Sequence, residues 1–167
     1  RVAIGHTGGL GALEGATHGE LGQLGVDVLV LEHADPTEQA TAANGFDAEV
    51  FIGVDLLAPG EQPRVAYYRT EGFESLGGHQ LAGLVADELA QEYALSEEAA
   101  ETGAAATGGS APSAADGLRL PILRETRMPA VLCLLADPAF VVAQNEELAR
   151  ALRRALSRWV ESPTGDL

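Results

Sequence analysis

The sequence predicts a single α/β domain over residues 1–167, with a mostly parallel, twisted sheet and helices on both faces. Three observations carry that expectation. Short apolar runs rich in β-branched residues alternate with helical patterns, two of those runs are apolar enough to be covered on both faces, and the chain closes on a strongly amphipathic helix. At 167 residues the chain is long enough to bury one core without staples.

Taken in order, residues 2–4, 26–31, 50–54, 65–68, 120–123 and 130–135 read as strands, the second and third being the two double-sided ones. Between them, Asp35 caps a short helix with Pro36 at its first position and Gly45 just beyond its end. A longer helix is expected from about residue 75 to 93, where Leu81, Leu84, Val85 and Leu89 repeat on one face, with Gly77 and Gly78 weakening its first turn. In the last helix Leu148, Ala151, Leu152, Ala155, Leu156, Trp159 and Val160 form one stripe. Glu146 and Glu147 open it, Arg150, Arg153, Arg154 and Arg158 follow in the sense the helix dipole favours, and Pro163 ends it. Residues 96–117 are almost entirely small or polar and read as a surface loop or disordered insertion. Residues 5–25 are glycine-rich, carry His6, His18 and Glu20, and are too broken to predict a helix.

Charge and composition exclude several functions. With 25 acidic against 10 basic residues and a net charge of −15, the chain repels phosphate backbones and anionic lipid, so no nucleic-acid partner is expected. No apolar run approaches the roughly 18 residues that would span a membrane. All ten basic residues are arginine, which fits either a GC-rich genome or adaptation to salt. Cys133 is the only cysteine and lies in an apolar strand, so a buried, inert thiol is expected. The chain opens at Arg1 without a methionine or signal peptide and is expected to be a processed piece of something longer.

Two blocks, Thr41-Ala42-Ala43-Asn44 leading into the strand that ends at Asp55 and Leu123-Arg124 followed by Arg127-Met128-Pro129 before the strand of residues 130–135, resemble segments of the zinc-dependent N-acetylmuramoyl-L-alanine amidases of bacterial cell walls. In the first, Thr41-Ala42-Ala43-Asn44 leads into a strand ending at Asp55, like the family's Ala-Asn pair before a strand that ends in Ser-Ile-His-Ala-Asn. In the second, Leu123 and Arg124 are followed by Arg127-Met128-Pro129 and a strand, where the family has Leu-Arg and Met-Pro before the strand with its catalytic glutamate. Ser75 and Leu81-Ala82 match the start of the family's long helix, and the resemblance covers roughly residues 26–160.

The resemblance implies a zinc held by two histidines and a glutamate, with an open position for the attacking water and a second glutamate as base. It puts His6 and Glu20 at the first two ligand positions, with Asp55 in place of the third ligand, a histidine, and Leu134 in place of the catalytic glutamate. No catalytic residue is therefore assigned. His33 and His79 fall on no ligand position and read as partly exposed hydrogen-bonding residues.

The expectation is a degenerate, catalytically inactive amidase-like module, without a resident cofactor, in peptidoglycan metabolism or division. Its partner would be a peptidoglycan fragment or a cell-wall or division protein, and its location extracytoplasmic in a bacterium. The alternative is an active zinc amidase using His6, Glu20 and Asp55 with a base recruited from Glu125 or Asp137. A structural α/β domain unrelated to amidases is the third reading.

Overall fold

The computed structural model describes residues 1–58, 60–101 and 112–161. Its elements run β1 (Val2–His6), α1 (Gly11–Gly22), β2 (Val28–Glu32), α2 (Pro36–Gly45), β3 (Val50–Leu56), β4 (Arg64–Thr70) and β5 (Phe73–Glu74). They continue with α3 (Leu76–Glu101), β6 (Ser113–Leu118), α4 (Pro121–Glu125), β7 (Ala130–Leu135), α5 (Pro138–Ala143) and α6 (Asn145–Glu161). The sheet order is β2-β1-β3-β7-β4, with β6 and the short β5 also paired to β4. Strands β2, β1, β3 and β7 are parallel neighbours, β4 runs antiparallel to β7, and β6 is parallel to β4. This is the expected mostly parallel α/β sheet flanked by helices.

Alternation along the strands divides the core into two layers. Val2, Ile4, Val50, Ile52, Val54 and Cys133 pack in one cluster with residues of α1, α3, α5 and α6. Ala3, Phe51, Ala66 and Leu132 cluster with α2 and α4 on the other face. Helix α6 buries Leu148, Ala151, Leu152, Ala155 and Leu156 as its periodicity predicts, but Val160, expected in the same stripe, is 68% exposed. Across the α3–α6 seam, Glu88 accepts from Arg154 Nε at 2.7 Å and from Arg158 Nη1 at 2.9 Å, while Glu92 accepts from Arg154 Nη2 at 2.5 Å. The Ser75 hydroxyl caps α3 by accepting from Gly78 N–H at 3.1 Å. A Cβ at Gly78 would lie 3.2 Å from the Ala130 carbonyl oxygen, so this glycine lets α3 lie close against the start of β7.

Four local expectations are corrected. Strand β2 is an edge strand, half-buried rather than covered on both faces, because β1 is its only partner among the described residues. The glycine-rich segment forms α1, which buries only Leu13, Thr17 and Leu21, one side chain per turn. The run 120–123 is not a strand: Leu120 is the N-cap and Pro121 the first residue of α4. The ends of segment 96–117 belong to elements, since α3 continues to Glu101 and β6 fills the free side of β4 from Ser113, while residues 102–111 lie outside the described residues.

Candidate functional site

In open α/β sheets ligands bind beyond the carboxyl ends of the parallel strands. Here β1, β3 and β7 end side by side, with His6 paired to Val54 and Asp55 paired to Leu134. His6, the last residue of β1, shares the face of Ile4 and is 2% exposed beneath α1. Its Nε2 meets the carboxylate of Glu14, in the first turn of α1. The other ring nitrogen, Nδ1, is buried without a partner. The surrounding space, lined by Leu10, Leu13, Thr17 and Val54, is about 10 Å³, close to the minimum that holds one water.

The His6 carbonyl accepts from Gln39 Nε2 at 3.2 Å, and the same amide reaches the His33 carbonyl at 2.5 Å. A Cβ at Gly5 would be driven into the Gln39 side chain and the Phe51 ring, so only glycine lets α2 close over β1 there.

Asp55 faces the opposite layer, by alternation with Val54. One of its oxygens accepts from Thr7 N–H at 3.2 Å and from Thr7 Oγ1 at 2.8 Å. The loop behind Thr7 turns through Gly8 and Gly9, at φ of 136° and 76°, values that favour glycine. Leu134 stands next to Asp55 and is half-buried against the α2–α4 cluster.

Glu20 lies six residues beyond Glu14 on α1, about 9 Å further along the helix axis at ~1.5 Å per residue. It pairs with Arg153 at 3.2 Å and Arg150 at 3.9 Å, both on α6. The structure thus does not bring His6, Glu20 and Asp55 together. The carboxylate beside His6 is Glu14, which sequence reasoning missed. Its available signal was position, four residues into a helix that could not be foreseen in so glycine-rich a stretch. Of the proposed replacement bases, Glu125 pairs with Arg124 at 2.6 Å, and Asp137 caps α5 from a left-handed backbone (φ 60°), accepting from Phe140 N–H at 3.3 Å.

A catalytic zinc takes three protein donors and keeps a fourth position open. Two donors converge here, the His6 ring and the Glu14 carboxylate, in a space the size of one water, with Asp55 turned to the other layer. No group of three His, Cys, Asp or Glu residues suited to a metal occurs among the described residues. This donor set does not fit such a zinc.

The two blocks that carried the amidase resemblance touch each other. The Asn44 side chain donates from Nδ2 to the Glu125 carbonyl at 2.9 Å and accepts at Oδ1 from Arg127 N–H at 2.9 Å. One asparagine thereby sets the loop that delivers Pro129 and β7 to the sheet.

No protein-family model matches this chain, and no curated protein matches it by sequence. Solved structures do share its fold. The catalytic domain of CwlV, an N-acetylmuramoyl-L-alanine amidase from Bacillus (Paenibacillus) polymyxa var. colistinus, superposes with a TM-score of 0.68 at 14% identity, over 96% of this chain and 98% of that one. The apo form of Ami1, an N-acetylmuramyl-L-alanine amidase from Mycobacterium abscessus, gives 0.67 at 12% identity, again over 96% and 98%. The CwlD amidase from Clostridioides difficile, solved in complex with the GerS lipoprotein, gives 0.64 at 12% identity over 96% and 98%. The chain has the fold of cell-wall amidase catalytic domains along nearly its whole length.

Proposed function

We propose that this chain is an amidase-like domain that no longer hydrolyses the muramoyl–L-alanine amide and acts as a binding or regulatory module in bacterial peptidoglycan metabolism or division. The observation that carries the reading is the pairing of Asp55 with Leu134. At the strand ends where the resemblance expects a metal-binding histidine and a catalytic glutamate, the side chains are a carboxylate held by Thr7 and a leucine. A leucine neither accepts nor returns a proton, and loss of a positioned acid or base costs roughly 10²–10⁴ in rate.

Its partner is a peptidoglycan fragment or a protein of the wall or division machinery. The solution of CwlD together with a lipoprotein supports the idea that this fold engages other proteins. No helix among the described residues is long and apolar enough to cross a membrane.

The competing reading, a working zinc amidase, is favoured by one observation: His6 Nε2 and the Glu14 carboxylate converge on a single point. Holding zinc through His6, Glu20 and Asp55 instead would require Glu20 to leave Arg153 and Asp55 to leave Thr7. Zinc content of the purified domain, measured beside release of stem peptides from muropeptides with and without added zinc, separates the two. Inactivity predicts substoichiometric zinc and release at the buffer rate. One tightly bound zinc per chain with robust release would establish the amidase.

A further inference from the structure

At the opposite end of β7 from the candidate site, a trough of about 430 Å³ runs between the β4–β5 turn and the α4–β7 loop. Tyr68 and Phe73 form one wall, their rings tilted at 45° with centroids 5.9 Å apart, and Phe73 is 59% exposed. Leu123, Met128 and Pro129 form the other, and Arg124 and Arg127 stand on that side.

The charge of this trough is the reverse of the molecule's. The chain has 25 acidic residues against 10 arginines, yet the ten residues lining the trough include two arginines and no acid. The four arginines on α6, by contrast, are matched: they pair with Glu20, Glu88, Glu92, Glu146 and Glu147. The Arg127 guanidinium is exposed and has no carboxylate partner among the described residues, although its own backbone is clamped by Asn44. Of the acids that flank this lining in sequence, Glu71 in the β4–β5 turn is exposed without an ion pair among the described residues, and the other two are engaged. Glu125 is bound to Arg124, and Glu74 accepts from Tyr67 Oη at 2.6 Å and lies 3.1 Å from His79 Nδ1.

An exposed aromatic wall, an adaptable methionine and an unmatched guanidinium on a clamped loop suit an extended peptide that offers an apolar side chain and a neighbouring carboxylate. We infer that this trough is a docking site for an acidic, apolar-containing segment of a partner protein. The carboxylate pairs with Arg127, and the apolar side chain lies between Phe73 and Met128. The excess negative charge elsewhere on the domain repels such a segment and so confines it to this place. The site is independent of whether the strand-end residues turn over any substrate.

The test is an array of random pentapeptides probed with the labelled domain, followed by fluorescence anisotropy and amide chemical-shift mapping with the best acidic sequence. Enrichment of Asp and Glu next to one aromatic or aliphatic residue is expected, with shifts centred on Tyr68, Phe73 and residues 123–130. Arg127→Gln should weaken binding about tenfold with an unchanged melting temperature, Phe73→Ser should weaken it similarly, and replacing the peptide's carboxylates by amides should mimic Arg127→Gln. Equal binding of acidic and neutral pentapeptides, preference for basic peptides over acidic ones, or shifts mapping to another face would each overturn the proposal.

Discussion

Asp55 and Leu134 are partners across the parallel β3–β7 pair, a carboxylate held by Thr7 beside a half-buried leucine. Leu134→Glu sets a second carboxylate beside the first and removes apolar contact with the α2–α4 layer. Thermal or denaturant unfolding should show a loss of roughly 1–3 kcal/mol, and stem-peptide release should stay at background. Asp55→His combined with Leu134→Glu is the variant with which to look for recovered activity. Release by the Leu134→Glu single variant at the rate of the double variant would show that His6 and Glu14 already suffice.

The Asn44 clamp should be energetically visible. Asn44→Ala deletes a donor and an acceptor that serve the backbone of Glu125 and Arg127. Two such bonds correspond to about 1–3 kcal/mol, or very roughly 2–12 °C in melting temperature at ~2–4 °C per kcal/mol for a domain of this size. Asn44→Asp keeps the acceptor for Arg127 N–H but sets a carboxylate oxygen against the Glu125 carbonyl, so it should not restore the parent's melting temperature. A melting temperature for Asn44→Ala equal to the parent's would show that solvent replaces both bonds without cost.

Much of this architecture is written in local sequence, and the exceptions share a physical cause. The elements β3, β7, α2 and α6 could be read because each has its own periodicity or cap, from the apolar run of residues 50–54 to Asp35 with Pro36. Helix α1 has neither. Its glycines cost helix stability and only Leu13, Thr17 and Leu21 are buried, so its helicity depends on packing against α6 that a local window does not contain. Missing α1 meant missing Glu14 and keeping Glu20 as the candidate partner of His6. Strand β6, written Ser-Ala-Ala-Asp-Gly-Leu, has little intrinsic β-preference and is recruited by the open side of β4. Segment 120–123 was ambiguous because four apolar residues fit a strand or a helical turn equally, and Pro121 was the deciding signal.

The α3–α6 seam predicts acid sensitivity. Burial alone raises the Glu88 carboxyl pKa, but hydrogen bonds from Arg154 and Arg158, with their charges, outweigh it and leave the pKa below the usual carboxylate value. A carboxyl lowered on folding contributes stability above its unfolded pKa of ~4.3, and that contribution is lost as pH falls through the folded value. Because both arginines are more than one-third exposed, solvent screening limits the effect, and Glu88→Gln should cost about 1–2 kcal/mol at pH 7. At pH 3 the difference from the parent should shrink. A difference that grows on acidification would contradict the assignment.

Cys133 lies in the core with its thiol pKa pushed up by burial to about 12. A thiol that reacts as thiolate should therefore ignore iodoacetamide or a disulfide reagent at pH 8 in the native state. Labelling should appear only in denaturant, over the same range as the loss of circular dichroism. Rapid labelling of the native domain would mean that β7 opens locally.

The strand order also has a consequence during synthesis. Strand β7 separates β3 from β4, so both present an unpaired edge to the nascent chain until residues 130–135 leave the ribosome. From the end of β3 at Leu56 that is about 75–80 further residues, several seconds to around fifteen at ~5–20 residues per second. During that interval the bare β3 edge, Val-Phe-Ile-Gly-Val, is an apolar, uncharged template of the kind that pairs with neighbouring chains. Holdase chaperones are then expected to engage nascent chains stalled after β4 and to release them once β7 is made.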